Sequence, residues 1–239
     1  MINYAHRGAS EYAPENTMAA FCLAVEMGAN GIETDVRLSK DGVPVLFHDD
    51  DMARISSYRG AVESLEYKQL SELDLGSWKH SMYKNERIVR LDDFLRYFSR
   101  ENLAFALELK GAGSEEKTVE YVHLYDCSQT VTITSFDFDM LKKTGAIDEG
   151  LARGYLTGGI NDETLSVLEA EGIGEICPNA QTVTKRTVEY ARKRGFSVRA
   201  WGVGDITLMK RCCEAGVDGM TVNFPDKLAE WIKKPETHG

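Results

Sequence analysis

The chain has no apolar run approaching the roughly 20 residues that a membrane-spanning helix needs. Stable insertion into a bilayer is therefore not expected. Cysteine is sparse: Cys22, Cys127, Cys177, Cys212 and Cys213 form an odd set with no C-x-x-C spacing. That pattern argues against a disulfide framework and against a zinc site built on thiolates, and it points to reduced thiols in a cytoplasm. Basic residues are the minority, 28 Lys and Arg against 38 Asp and Glu, giving a net charge of −10. Nucleic-acid-binding domains usually carry a basic face, so nucleic acid is not an expected partner. A small anionic substrate stays open, provided a metal or local Arg and Lys side chains reverse the field. No leader-like segment is read before His6-Arg7-Gly8, which only Met1 and Ile2-Asn3-Tyr4-Ala5 precede. A cytoplasmic location is the expectation. Low-complexity segments and linkers are missing as well.

What is present is an ordinary globular composition, 43% hydrophobic and 28% charged over 239 residues. Apolar, β-rich runs begin near Ile2, Gly31, Leu103, Thr130, Leu151, Ile173, Ser197 and Val217. Stretches with helical spacing follow them, at 16–27, 91–100, 115–125, 137–144, 161–171, 181–194, 205–215 and 226–233. Ser114 and Asp205 stand where N-caps belong, and Asn16 reads as the cap of the first helix. Eight strand-helix units in this length predict an α/β fold, a single (βα)8 TIM barrel over 1–239. Strand starts lie 20 to 29 residues apart except for one gap of 72. That gap holds an insertion after strand 2, about 50–90, placed near the barrel mouth, with one short helix expected between Leu65 and Leu75. Residues 235–239 read as a frayed end.

The stretch Gly31 to Asp49, GIETDVRLSKDGVPVLFHD, carries the densest chemistry. Glu33 and Asp35 are two apart, so on a strand they point to one side. Two like charges on one face of a buried strand are expensive to desolvate unless something compensates them. The turn at Ser39-Lys40-Asp41-Gly42 folds the chain back. If Leu38 pairs with Val43, His48 lands opposite Glu33.

Active sites of such barrels sit at the C-terminal ends of the strands. His6-Arg7-Gly8 ends the first strand, Glu33 and Asp35 the second, and Glu108 and Lys110 the third. Three converging carboxylates repel one another unless a cation lies between them, and an oxygen-only set favours Mg²⁺ or Ca²⁺ over zinc. Two histidines beside such a metal can act as general acid and base near neutral pH. Arg7 and Lys110 add charge of the kind that holds a phosphate. Together these residues point to metal-assisted cleavage of a phosphoester.

Several short motifs now make a resemblance visible: His6-Arg7-Gly8, Pro14-Glu15-Asn16-Thr17, Gly31-Ile32-Glu33-Thr34-Asp35-Val36, His48-Asp49, Glu108-Leu109-Lys110, Ser135-Phe136 and Gly216-Val217-Asp218-Gly219. In this order and spacing the chain resembles the glycerophosphodiester phosphodiesterase family over essentially its whole length. The resemblance implies hydrolysis of glycerophosphodiesters such as glycerophosphocholine or glycerophosphoethanolamine to sn-glycerol 3-phosphate and an alcohol. It implies that His6 and His48 form the acid-base pair, that Glu33, Asp35 and Glu108 bind the divalent metal, and that Arg7 and Lys110 contact the phosphate. It also implies that the glycerol hydroxyl attacks first, giving a cyclic phosphate that water then opens. Two other readings stand beside it: a phospholipase D-like barrel acting on lysolipids or sphingolipids, and a non-catalytic barrel that only binds phosphodiesters. The chain departs from the family near its last strand, where Asn223 stands in place of the usual acid. Trp201 and Phe136 are candidates for the pocket wall. Asp49-Asp50-Asp51 reads as a solvated turn, and His80 and His123 as surface residues.

Overall fold

All eight expected strands form within two residues of their expected starts in the computed structural model, which describes residues 1–233. The expected frayed end, 235–239, lies outside the described residues. The strands that make the barrel are β1 (Ile2–His6), β2 (Gly31–Leu38), β5 (Ala104–Leu109), β6 (Val131–Ser135), β7 (Ala152–Thr157), β8 (Glu175–Pro178), β9 (Ser197–Val203) and β10 (Gly219–Val222). Neighbours pair in parallel in chain order, and β1 closes the ring by pairing with both β2 and β10. This is a TIM barrel with helices outside. Among the described residues no helix is long and apolar enough to cross a membrane.

The helices form because one face of each is apolar and buries itself against the strands. In α3 (Leu91–Phe98) the buried residues are Leu91, Phe94, Leu95 and Phe98, the i, i+3, i+4, i+7 positions that line one side of a helix. Phe94 meets Phe21 of α1 (Met18–Glu26) edge-on at 4.8 Å and Phe105 of β5 at 5.5 Å. Asp92 and Asp93 sit in its first turn, where the helix dipole favours carboxylates. Asp205 caps α8 (Ile206–Ala215), as the sequence suggests. Ser114 does not cap α4 (Ser114–Leu124): it is the first helical residue, its hydroxyl turned back to the Gly111 carbonyl, and Gly113 takes the cap position.

The hairpin folds one residue away from its expected register. Leu38 pairs with Pro44 rather than Val43, and pairing of β2 with β3 (Pro44–Leu46) ends at Val36 and Leu46. Ser39 causes the offset: its hydroxyl accepts the Val43 amide, so Val43 belongs to the turn. His48 therefore reaches the site from a loop beyond the strand rather than from a paired position. The segment that follows has a small core of its own, in which Val45, Phe47, Met52, Ile55, Val62, Leu70, Leu75 and Ile88 cluster. Its helical content is α2 (Tyr67–Leu70) with 3₁₀ turns at Met52–Arg54, Val62–Ser64 and Ser81–Tyr83. The short β4 (Val89–Arg90) returns antiparallel to β3 and leads into α3.

Candidate functional site

Alternation along β2 sends Ile32 and Val36 outward into the main core and Glu33 and Asp35 inward. The parallel register then aligns the rest: His6 opposes Glu33, and Asp35 opposes Glu108. One oxygen from each of Glu33, Asp35 and Glu108 lies within 4.8 Å of the other two, and all three residues are buried. Asp35 is the most enclosed of the three, with no solvent-exposed surface. Its Oδ2 accepts from Asn16 Nδ2 at 2.9 Å and faces Arg7 Nε at 3.3 Å, while its Oδ1 has no hydrogen-bond donor. A buried carboxylate oxygen without a donor, facing two further carboxylates, is the arrangement a hard divalent cation satisfies.

The three carboxyls divide electrostatically. Burial, with Asp35 and Glu108 nearby, pushes Glu33 well above the usual range. Burial and Asp35 push Glu108 up to about 7. Burial also opposes ionisation of Asp35, but Arg7, Lys110 and His48 outweigh it and hold Asp35 low. Lys110 sits 2.7 Å from Glu108 Oε1 and 3.7 Å from Asp35 Oδ1. The metal-free cluster is therefore one firm carboxylate, Asp35, beside two glutamates whose ionisation is opposed.

The candidate histidines are supported differently. His6 Nδ1 lies 2.6 Å from Asn223 Oδ1, which also accepts from Ser10 Oγ at 3.0 Å. A neutral amide oxygen accepts a hydrogen bond from Nδ1–H and leaves Nε2 with its lone pair. Burial and Arg7 hold His6 down, at about 4. His48 Nδ1 instead faces the Asp49 carboxylate at 2.7 Å. Asp49 is thus no solvated turn: its other oxygen accepts from Arg54 Nε at 2.6 Å. Asp50 and Asp51 do fit a surface turn, paired with Arg37 and capping the Met52–Arg54 turn respectively.

Backbone strain marks the same place. Arg7 and Asn16 both take left-handed φ of 56°, uncommon for non-glycine residues and found where a site fixes its side chains. Asn16 is not a helix cap. Thr17 caps α1, and Asn16 bridges Thr34 and Asp35. Gly8, at φ 82°, is required because a Cβ there would stand 2.6 Å from the Ala20 backbone.

A cavity of about 190 Å³ opens over this cluster, lined by His6, Arg7, Glu33, His48, Glu108 and Lys110. Phe136 and Trp201 form part of its wall, edge to face at 5.0 Å, and Lys110 lies 5.7 Å over the Phe136 ring. Trp201 Nε1 donates to the Thr157 carbonyl, which fixes the indole. Deeper in the barrel Arg199, fully buried, contacts Glu175, Thr221 and Cys177 and stacks over Tyr4. It also lines the cavity. Arg199 and Trp201 are two apart on β9, so the spacing rule that finds Glu33 and Asp35 also points to this pair. His80 and His123 stay outside the site: His80 caps a 3₁₀ turn, and His123 pairs with Asp148.

Residues 6–227 match the model of the glycerophosphoryl diester phosphodiesterase family. The chain belongs to the glycerophosphodiester phosphodiesterase family. A glycerophosphodiester phosphodiesterase of Caldanaerobacter subterraneus subsp. tengcongensis is 31% identical over 96% of this chain and 97% of its own. A phosphodiesterase of Oleispira antarctica, solved in complex with the product sn-glycerol-3-phosphate, superposes with a TM-score of 0.88 at 30% identity, covering 97% and 96% of the two chains. A glycerophosphodiester phosphodiesterase of Agrobacterium tumefaciens str. C58 gives 0.83 at 26% identity, covering 95% and 98%. As a member of the family this chain is an enzyme, a phosphoric diester hydrolase, with an acidic triad at the mouth of its barrel.

Proposed function

We propose that the protein hydrolyses glycerophosphodiesters such as glycerophosphocholine or glycerophosphoethanolamine to sn-glycerol 3-phosphate and an alcohol, with a divalent metal on Glu33, Asp35 and Glu108. The observation that carries this reading is the Asp35 oxygen that no hydrogen bond satisfies, beside two further carboxylates, at the foot of a cavity that also holds two histidines. The relative solved with sn-glycerol-3-phosphate supports the glycerol phosphate half of the substrate. An all-oxygen donor set fits Mg²⁺ or Ca²⁺. Bound there, the metal polarises the phosphoryl oxygens. Arg7 and Lys110 hold the phosphate from the two sides of Asp35. Phe136 and Trp201 wall the pocket beside the glycerol.

The histidines take opposite roles. His6, hydrogen-bonded to an amide and held neutral, accepts the proton of the attacking hydroxyl on Nε2. His48, whose Nδ1 is held by the Asp49 carboxylate, gives a proton to the departing alkoxide. The P–O bond to the alcohol breaks as the new P–O bond forms, and the next proton transfers reset the pair. The attacking hydroxyl is that of the glycerol in the cyclic route and water in the direct one. The five free cysteines support a reducing, cytoplasmic setting.

Incubation with either diester should release glycerol 3-phosphate in the presence of Mg²⁺ or Ca²⁺ and none in EDTA. No release with any metal would overturn the reading. Asn223→Asp tests the role of His6. A carboxylate at this position stabilises the imidazolium, so His6 loses its base form at a higher pH than in the parent. The acid limb of kcat/KM should move up by about one pH unit. A limb that stays in place removes His6 from the role of base.

A further inference from the structure

The insertion reaches the site through one guanidinium. Arg54 ends the Met52–Arg54 turn, which Asp51 caps and the buried Met52 anchors in the insertion's small core. It forks onto Glu15, Nη1 to Oε2 at 2.9 Å and Nη2 to Oε1 at 2.7 Å, while Nε donates to Asp49 Oδ2 at 2.6 Å. Each carboxylate uses a further contact on the site. Asp49 Oδ1 meets His48 Nδ1 at 2.7 Å, and Glu15 Oε1 meets Arg7 Nη1 at 2.9 Å. The His48 backbone carbonyl is already pinned by Arg37 Nη2 at 2.9 Å. Ring rotation is what remains free, Asp49 sets it, and Arg54 sets Asp49.

We propose that Arg54 is a positioning residue, a clamp from the insertion that orients the carboxylate behind His48 and the carboxylate behind Arg7 as one unit. This rests on the reading of His48 as the proton donor and Arg7 as a phosphate ligand. Only a planar fork with a separate Nε–H holds two carboxylates in fixed geometry, and a lysine ammonium cannot. The Arg54 side chain is 44% exposed and that of Glu15 only 9%, so the fork holds a largely buried carboxylate from the solvent side. The contacts therefore serve orientation. Trp78 backs the clamp. Its ring lies 5.8 Å from the Arg54 guanidinium and 5.6 Å from Lys79 Nζ. Lys79 in turn donates to the Ser10 carbonyl, next to the Ser10–Asn223–His6 contacts. The insertion thus reaches both histidines.

The test uses leaving groups. Arg54→Gln, Arg54→Lys and His48→Asn are compared with the parent on glycerophosphocholine and on the p-nitrophenyl ester of glycerol phosphate, with metal present and melting curves recorded. A p-nitrophenolate leaves without a proton; a choline alkoxide does not. Arg54→Gln should lower kcat on glycerophosphocholine by about 10- to 100-fold, the usual effect of removing a partner that orients a site residue. It should lower kcat on the p-nitrophenyl ester by no more than about threefold, the loosened Arg7 showing instead as a raised KM on both substrates, and Arg54→Lys should stay near the glutamine variant. Equal losses on both substrates, or full activity in Arg54→Lys, would overturn the clamp. So would an unchanged Arg54→Gln beside a crippled His48→Asn. An unimpaired His48→Asn would instead overturn the reading of His48 itself. If Arg54→Gln does not fold, Arg54→Lys carries the same comparison, because its charge is kept and its fork is lost.

Discussion

Replacing His6 by asparagine is expected to lower kcat by about 10²–10⁴ on every glycerophosphodiester, whatever the leaving alcohol, whereas His48→Asn should do so only where the alcohol is a poor leaving group. The asymmetry follows from what stands behind each ring. His6 meets the amide of Asn223 at 2.6 Å, His48 the carboxylate of Asp49 at 2.7 Å. An amide fixes the ring with a proton on Nδ1 and gives the imidazolium no charge to pair with. Burial and then Arg7 work against protonation, outweighing Asp35 and the Asn223 hydrogen bond, and His6 sits at about 4. A ring of that kind starts a catalytic cycle empty of the extra proton, so its task is the attacking hydroxyl, a step every substrate shares. His48, its Nδ1 held by the Asp49 carboxylate, serves the leaving oxygen, and the proton it gives matters only when that oxygen needs one. Steady-state kinetics on one alkyl and one p-nitrophenyl diester separate the two. Matching losses for both variants on both substrates would show that the histidines do not divide the work in this way.

The barrel is legible in the sequence because its signal is repeated and local. Each β-rich run needs only its own few residues to be seen, and each is followed by a helix whose buried face recurs at helical spacing, as Leu91, Phe94, Leu95 and Phe98 do in α3. The site is legible for a related reason. Glu33 and Asp35, or Glu108 and Lys110, are neighbours two apart at strand ends, and the parallel register places these ends side by side.

What the sequence conceals are partners far apart in the chain. Asn16 looks like a helix cap until Asp35, nineteen residues on, is seen to use its amide. Glu15 and Arg54 are separated by 39 residues, and no periodicity links them. Asp49-Asp50-Asp51 carries three identical charges with three different tasks, which only the positions of His48, Arg37 and Ala53 distinguish. The hairpin slipped by one residue because a serine hydroxyl, not a backbone rule, fixes where the turn ends. The insertion is opaque because its apolar residues serve 3₁₀ turns and loops, which have no period long enough to read.

Divalent metal binding is expected to tighten steeply with pH and to release protons, and the metal-free fold is expected to weaken over the same range. Glu108 gives up its proton near 4.5 in the unfolded chain and at about 7 in the folded one. Between these values the folded protein keeps a proton that the unfolded chain has lost, so raising the pH favours unfolding, by about 3 kcal/mol in total for this one group. Glu33, displaced in the same direction, adds to the effect. Asp35 has the opposite sign: held low by Arg7, Lys110 and His48, it contributes stability that is lost only on strong acidification. A divalent cation needs both glutamates ionised, so it must displace their protons. Each proton displaced makes the affinity rise about tenfold per pH unit until that group ionises unaided. Calorimetric titration of the metal-free protein with Mg²⁺ or Ca²⁺ at pH 6, 7 and 8, in two buffers of different ionisation heat, measures both the affinity and the proton count. Melting curves without metal should show Tm falling from pH 5 to pH 8, and the rise in Tm on adding metal should grow across the same interval. Glu108→Gln should remove one proton from the count, flatten the fall in Tm and weaken the metal. An affinity that does not change with pH, with no buffer dependence of the heat, would mean that these carboxyls are already ionised in the metal-free protein, and that Lys110 and Arg7 neutralise the cluster more completely than their distances suggest.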